Sequence, residues 1–360
     1  MQTFRPGDKL PPGAAITIGT FDGLHLAHQY ILAELKRGAV ERRCPAGVVT
    51  FDPSPQVVIR HEFPYILTPS EEKVERLAEL GLDFVYLLRF DEELRTTPAE
   101  VFLERMIIDP LRPSLMVEGF DHRFGTDRKG DAALLTALKE QYHFDLTVLP
   151  EFRYHGVAVN STRIRERLLL GAVRQAGVLL GSPYRIRGKV VPGRGVGRNL
   201  GYPTLNLELP DKEKLVPASG VYAVKVRLDV MGQPEVGLVR QVRPVRRADG
   251  SCPRPGVMNI GFRPTFSESS PPRHKDTNLV LGLQEGGNQT LEVHVLDFQE
   301  QVYNRVVAVE FVERLRPETK FASVEELKRQ IAADVGLARL ILADAESDTS
   351  DPADRSDSEA

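Results

Sequence analysis

From residue 14 to about 181 the chain alternates between two hydrophobic periods. Short apolar or β-branched runs at 14–18, 47–51, 84–90, 115–118 and 146–149 predict strands. Amphipathic stretches between them predict helices. Thr68-Pro69-Ser70-Glu71 reads as a capping box with proline at the first helical position, and Val74, Leu77 and Leu80 then share one face. Thr97-Pro98-Ala99-Glu100 repeats that chemistry before Val101. Strands and helices in alternation predict an α/β unit, a doubly wound parallel sheet covered on both faces. Ligands of such sheets bind beyond the carboxyl ends of the strands.

After Gly181-Ser182-Pro183-Tyr184 the pattern changes. Strand-like runs at 187–191, 221–228, 257–260, 291–298 and 306–312 follow one another with glycine and proline between them. They predict a small β-barrel. Ser323-Val324-Glu325-Glu326 is a further capping box, opening a closing helix that carries Leu327, Ile331 and Val335. The expected domains are therefore 1–182 and 183–342, with a basic loop insertion at 240–255 and a polar loop at 267–288. There is no internal repeat. Residues 343–360 hold seven acidic side chains against Arg355, a net charge of −6, and read as a disordered acidic tail.

A length of 360 residues suits two domains. The net charge of −3 gives no electrostatic case for nucleic acid or a membrane surface. Without the tail the charge is +3, mildly suited to anionic ligands. Cys44 and Cys252 are far apart and form neither a disulfide framework nor a metal motif. Residues 1–12 are polar and proline-rich, and no run is long and apolar enough to cross a bilayer. These features together predict a soluble cytoplasmic protein. They neither require nor forbid a homo-oligomer.

The densest chemistry of the first half is the string Ile16-Thr17-Ile18-Gly19-Thr20-Phe21-Asp22-Gly23-Leu24-His25-Leu26-Ala27-His28. A strand that feeds a helix through such a turn makes an anion site, because unpaired N–H groups point outward at the helix start. His25 and His28, three apart, fall on one helix face and can meet a phosphate together. Three further segments belong at the same sheet edge: Thr50-Phe51-Asp52-Pro53-Ser54-Pro55, Gly119-Phe120-Asp121-His122-Arg123-Phe124-Gly125 and Asn160-Ser161-Thr162-Arg163-Ile164-Arg165. Ser161 and Thr162 offer hydroxyls at a helix start, where Ser161 also suits an N-cap. Arg165 is the charged candidate for phosphate.

The second half carries Gly188-Lys189-Val190-Val191-Pro192-Gly193-Arg194-Gly195-Val196-Gly197-Arg198-Asn199-Leu200-Gly201-Tyr202-Pro203-Thr204-Leu205-Asn206. Glycine-rich backbone can wrap phosphate oxygens closely. The Thr204 hydroxyl and the Asn206 carbonyl lie on one strand face and suit a hard cation such as Mg²⁺. Asn259-Ile260-Gly261-Phe262-Arg263-Pro264-Thr265-Phe266 and Leu291-Glu292-Val293-His294-Val295-Leu296-Asp297-Phe298 follow. On a strand, Glu292 and His294 share a face. Leu315-Arg316-Pro317-Glu318-Thr319-Lys320-Phe321 precedes the closing helix.

These strings resemble the bacterial bifunctional riboflavin kinase/FAD synthetase family over roughly residues 13–342. The resemblance implies a Rossmann-like nucleotidyltransferase domain that adenylylates FMN to FAD, then a kinase domain that phosphorylates riboflavin to FMN. Both would use ATP and Mg²⁺. It implies that Gly19, Phe21, Asp22, Gly23, His25, His28, Ser161, Thr162 and Arg165 hold ATP phosphates in the first domain, with His25 and His28 catalytic. Asp121 would contact the flavin there. In the second domain Gly188, Lys189, Gly193, Gly197, Arg198, Gly201, Thr204 and Asn206 would hold ATP, and Thr204 and Asn206 the metal. Glu292 would be the base, and Arg316 and Phe321 would lie against the flavin. Four positions depart from the family pattern: Ala27 for Gly, Ser54 for His, His122 for Phe and Asn304 for Gly. Those departures leave two other readings open, a kinase-only enzyme with weakened adenylyl transfer and a non-catalytic flavin-binding regulatory protein.

Overall fold

The computed structural model describes residues 1–59, 65–193, 195–228, 253–264 and 287–347. Most of the insertion at 240–255 and nearly all of the loop at 267–288 therefore lie outside the described residues. By backbone proximity the chain forms two compact units. One holds Met1–Thr162 with Glu213–Leu215, and the other begins at Arg163.

The first unit is built on six strands: β1 (Gln2–Phe4), β2 (Ala15–Ile18), β3 (Ala46–Asp52), β4 (Phe84–Arg89), β5 (Leu115–Gly119) and β6 (Asp145–Leu149). All pair in parallel, in the order β1-β4-β3-β2-β5-β6. The five strands expected from the pattern are present. β1 was not expected; it is a three-residue edge strand whose composition carries no strand signal. Alternate strand residues feed two cores. Ile16, Ile18, Val49, Phe51, Tyr86 and Met116 pack on one face, and Ala15, Val48, Val85, Leu115 and Val117 on the other. Both faces are covered, so the strands read as continuous apolar runs rather than alternating ones. Helices Leu26–Arg42 and Ser70–Glu79 supply Leu32, Leu35, Val74 and Leu77 to the second core.

Two expected capping boxes do not form. Helix Ser70–Glu79 starts after Pro69 with no side-chain cap, because the Thr68 hydroxyl accepts the Gly23 N–H at 3.1 Å instead. The Thr97 hydroxyl donates back to the Glu93 carbonyl at 2.8 Å. In each case another acceptor or donor in the folded chain competes for the hydroxyl. The third box does form. The Glu326 N–H donates to Ser323 Oγ at 3.2 Å, and the Glu326 carboxylate accepts the Ala322 N–H at 3.0 Å.

A short hairpin, β7 (Arg153–Tyr154) and β8 (Val157–Ala158), closes the first unit. The second unit contains β9 (Tyr184–Val191), β10 (Leu205–Glu208), β11 (Gly220–Arg227), β12 (Arg254–Pro264), β13 (Gly287–Val295) and β14 (Val306–Arg316). They form a closed antiparallel barrel in the order β10-β13-β12-β11-β14-β9. β10 supplies the closure; Asn206, expected on a strand, lies on it, whereas Thr204 falls one residue before it. Tyr222, Val224, Met258, Ile260, Val293, Val309 and Phe311 are buried. The closing helix, Val324–Ser347, packs Ala338 and Leu342 against Ala223, with Val257, Val312 and Leu315 around them. It runs five residues into the segment expected to be a disordered tail, so residues 343–347 are helical; the rest of that tail lies outside the described residues. No helix among the described residues is long and apolar enough to cross a membrane.

One close approach fixes the middle of the sheet. Gly47 on β3 pairs with Phe84 on β4, and a Cβ at Gly47 would meet the Phe84 ring at 2.1 Å. We expect Gly47→Ala to cost about 1–3 kcal/mol by overpacking, read as a lower denaturant midpoint of the first unit. An unchanged midpoint would show that the ring moves aside freely.

Candidate functional site

The strand order reverses at β2. β2, β3 and β4 proceed in one direction across the sheet, whereas β5 and β6 continue from the other side of β2. Such a switch point opens a crevice beyond the strand ends. A cleft of about 750 Å³ lies there, lined by Gly19, Phe21, His25, Ala27 and His28 on one strand-to-helix turn. Asp121 and His122 come from the loop after β5, and Asn160 and Ser161 from the start of helix Ser161–Leu169. Phe51, Phe90, Leu94, Phe102 and Phe124 form an apolar wall.

The turn after β2 is tightly folded. Phe21, Gly23 and Leu24 all have positive φ, at 48°, 93° and 45°. The Asp22 carboxylate, only 3 % exposed, holds this shape by accepting the N–H groups of Leu67 and Thr68, each at 2.9 Å. The Asp22 carbonyl accepts the Ser161 hydroxyl at 2.8 Å. Through these bonds, and through the Gly23 N–H to Thr68, Asp22 and Gly23 brace the turn. Ser161 ties the start of its helix to that turn. Thr162 is exposed next to it, and Arg165 is buried further along the helix Ser161–Leu169, within the second unit.

His25 is the N-cap of helix Leu26–Arg42, its Nδ1 accepting the His28 N–H at 3.4 Å. That bond leaves the neutral His25 ring with its proton on Nε2. The two imidazoles stack at 3.7 Å and 14°, and Phe21 packs 5.0 Å from His28. Burial drives the His28 pKa well below its ordinary value, and the charges of His25 and Lys73 push the same way. The buried His28 ring therefore favours its neutral form, which can hydrogen-bond but carries no fixed charge.

The sequence reading missed two groups here. Lys73 sits beside the apolar positions Val74 and Leu77 but is buried, its Nζ donating to Thr50 Oγ1 at 3.3 Å. Burial lowers its pKa to about 8, against the opposing pull of Asp22 and Asp52. Glu118, at the end of β5, is 1 % exposed and accepts the Ile18 N–H at 2.9 Å. Neither has a local signature, because a lysine and a glutamate next to apolar runs ordinarily face water.

In the barrel, the glycine loop folds back on the residues expected at phosphate. A Cβ at Gly193 would lie 2.1 Å from Asn206 Nδ2, and one at Gly197 would meet the Tyr202 carbonyl at 2.4 Å and Thr204 at 3.3 Å. At Gly197, which abuts the Tyr202 backbone, only glycine permits this close approach. Gly188 and Lys189 lie on β9, Arg198 on the short helix Val196–Asn199, and Gly201 at φ 88°. Asn206 on β10 stands directly opposite Glu292 on β13, which stands opposite Asn259 on β12. Directly opposed residues bring their Cβ atoms within about 5.5 Å. Glu292 and His294 share the partly exposed face, as expected, while Leu291, Val293 and Val295 are buried. His294 Nδ1 donates to the Pro203 carbonyl at 2.7 Å and so steadies the residue before Thr204.

Arg316 lies with its guanidinium over Phe321, 5.5 Å from the ring centre. It is also paired with Asp334 of the closing helix at 2.8 Å. Its donors are thus engaged by Asp334 and by the Pro317 carbonyl, and both Arg316 and Phe321 are half-buried. Asn304, where the resembled family has Gly, adopts φ 64°. Asn tolerates that left-handed region better than most residues, so the departure preserves the turn. Thr265 and Phe266 lie outside the described residues. Among the described residues no three His, Cys, Asp or Glu side chains gather as a metal site. The hard oxygens of Thr204 and Asn206, set in the glycine cradle, fit a cation shared with phosphate groups.

Comparison with known proteins agrees with this division. The FAD synthetase family model matches residues 8–163 and the riboflavin kinase family model matches residues 180–342. A relative from Escherichia coli (strain K12), named bifunctional riboflavin kinase/FMN adenylyltransferase, is 36 % identical over 328 residues, covering 91 % of this chain and 92 % of its own. One of the same name from Pseudomonas fluorescens is 36 % identical over 350 residues, covering 95 % and 98 %. A crystal structure described as a macrolide-efflux protein from Streptococcus pneumoniae is 29 % identical, with a TM-score of 0.76 over 94 % of this chain and 99 % of that one. With both halves matched in order and near-complete relatives at this identity, the chain belongs to the bifunctional riboflavin kinase/FMN adenylyltransferase family.

Proposed function

We propose that this chain makes both flavin cofactors, with riboflavin, FMN and ATP as its small-molecule partners in the cytoplasm. The barrel unit phosphorylates riboflavin to FMN, and the parallel-sheet unit joins FMN to the AMP of ATP to give FAD. The observation that carries the second half is the stacked His25–His28 pair at a helix start, lining a cleft at the sheet's switch point.

Adenylyl transfer needs little from a base, because the FMN phosphate is already ionised near neutral pH. Its oxygen attacks the α-phosphorus of ATP, the bond to the β-phosphate bridging oxygen breaks, and pyrophosphate leaves. The difficulty is negative charge on the α-phosphate oxygens and the leaving group. Preorganised donors answer it: the Nε2–H of His25, the neutral His28 ring and the unpaired N–H groups of the helix start. Lys73 adds positive charge from behind the turn.

Kinase chemistry has the opposite need. The riboflavin hydroxyl must lose a proton as it attacks the γ-phosphorus of ATP and ADP leaves. Glu292 accepts that proton in this reading, which its pairing with Asn206 on the neighbouring strand supports. Thr204 and Asn206 would hold Mg²⁺ together with phosphate oxygens, and the ion would neutralise charge on the transferred group. Phe321 offers an aromatic face for the flavin.

In the full chain, His28→Ala should lower FAD formation by about 10² or more, the scale for losing one preorganised donor. FMN formation should stay near wild type. Equal loss of both activities would mean that His28 serves folding instead. Glu292→Gln should lower riboflavin phosphorylation by on the order of 10²–10⁴, the range for general-base catalysis. Supplied with FMN, that variant should still make FAD. Near-normal kinase turnover would remove Glu292 from the base role.

A further inference from the structure

His122 and Glu118 form a buried pair at the floor of the first cleft. Neither has a role in the mechanism above. Both line the cleft. His122 Nδ1 faces Glu118 Oε2 at 3.4 Å, with side chains 12 % and 1 % exposed. The other Glu118 oxygen, Oε1, accepts the Ile18 N–H at 2.9 Å. The far ring nitrogen of His122, Nε2, is buried without a hydrogen-bond partner. A buried polar atom with no partner is costly, and a native structure that keeps one has a use for it.

The protonation of the pair follows from its surroundings. Burial raises the Glu118 carboxyl well above its ordinary value, opposed only by the Ile18 N–H. Burial, then the charges of Arg123 and Arg128, lowers His122 to about 4. A carboxyl only 1 % exposed beside a buried imidazole favours the uncharged form of each group, a carboxylic acid facing a neutral ring. Oε1 is then the carbonyl oxygen, already taken by Ile18, and Oε2 carries the proton facing Nδ1. The ring's own proton therefore sits on Nε2. Moving the shared proton across to Nδ1 would not change this, because the imidazolium also has Nε2–H.

The aromatic wall says what the donor meets. His122 stacks on Phe124 at 5.5 Å, Phe124 meets Phe102 at 5.7 Å, Phe102 meets Phe51 at 6.4 Å and Phe51 meets Phe90 at 5.7 Å. This run is longer than one purine and matches an extended, largely apolar ring system that ends in polar carbonyls. Of the two substrates, the flavin ring has that form.

We propose that His122 Nε2–H donates a hydrogen bond to a ring carbonyl of FMN in the first unit, with Glu118 as the positioning residue that fixes the His122 tautomer. The proposal rests on reading this cleft as the adenylyl-transfer site. It assigns a specificity role to a position where the resembled family has Phe, which has no donor.

The test is the steady-state kinetics of FAD formation by the full chain, with FMN and ATP varied separately. His122→Phe keeps a flat ring and removes the donor. It should raise KM for FMN about tenfold, the scale of one hydrogen bond, with kcat, KM for ATP and riboflavin phosphorylation little changed. His122→Gln retains a donor and should raise it by less than about threefold. Glu118→Leu, which leaves the tautomer free, should raise KM for FMN, and Glu118→Gln should recover most of that loss. Gln can accept from Ile18 and donate to Nδ1 at once. Should the Phe ring fail to pack, the Leu and Gln comparison at Glu118 reads the same donor. Unchanged KM for FMN in His122→Phe, a rise confined to KM for ATP, or equal losses in the Phe and Gln variants would each overturn the proposal. If His28→Ala leaves FAD formation intact in the same assay, the cleft assignment itself is wrong, and the two failures are thereby told apart.

Discussion

β2 and β5 pair only through Ala15 with Leu115 and Ile16 with Met116, and then part. The parting is forced by topology, since the chain winds away from β2 on one side before returning on the other. It exposes backbone groups in the middle of a sheet, where each needs a partner. Ile18 finds its partner in the Glu118 side chain rather than in a strand. The separated ends leave room for the turn at residues 19–25, and Asp22 and Ser161 pin that turn in place. The cleft, the histidine pair and the aromatic wall all follow from that one split.

Burial rather than net charge tunes the groups around the cleft. His28 and His122 are held neutral, Lys73 is brought down to about 8, and the Glu118 carboxyl is pushed up. Neutral donors suit the triphosphate and flat ring proposed for this cleft. The barrel site is built differently. Its glycine loop removes side chains where Asn206 and Thr204 must be approached, and its candidate base lies on a partly exposed strand face. One site is a crevice in a sheet, and the other is a loop laid over the outside of a barrel.

Apolar period revealed five of the six parallel strands and the shift to a β-rich second half. The strand-turn-helix string singled out His25 and His28, which line the cleft, and the glycine spacing singled out Thr204 and Asn206, which lie against the glycine loop. What stayed hidden was decided by tertiary contacts. Thr68 looked like a helix cap, but Gly23 takes its hydroxyl. Asp22 lies in the candidate ligand string, and its carboxylate also binds two backbone N–H groups from a distant loop. Lys73 and Glu118 looked like surface residues, and their burial depends on strands and helices far away in sequence. β1 was too short to carry a period of its own.

The most direct test of two separate chemistries in one chain is a time course of products from riboflavin, ATP and Mg²⁺. The account predicts FMN and ADP first, then FAD and pyrophosphate as FMN accumulates. FMN without FAD would contradict the adenylyl-transfer assignment of the cleft, and no flavin product at all would contradict both assignments.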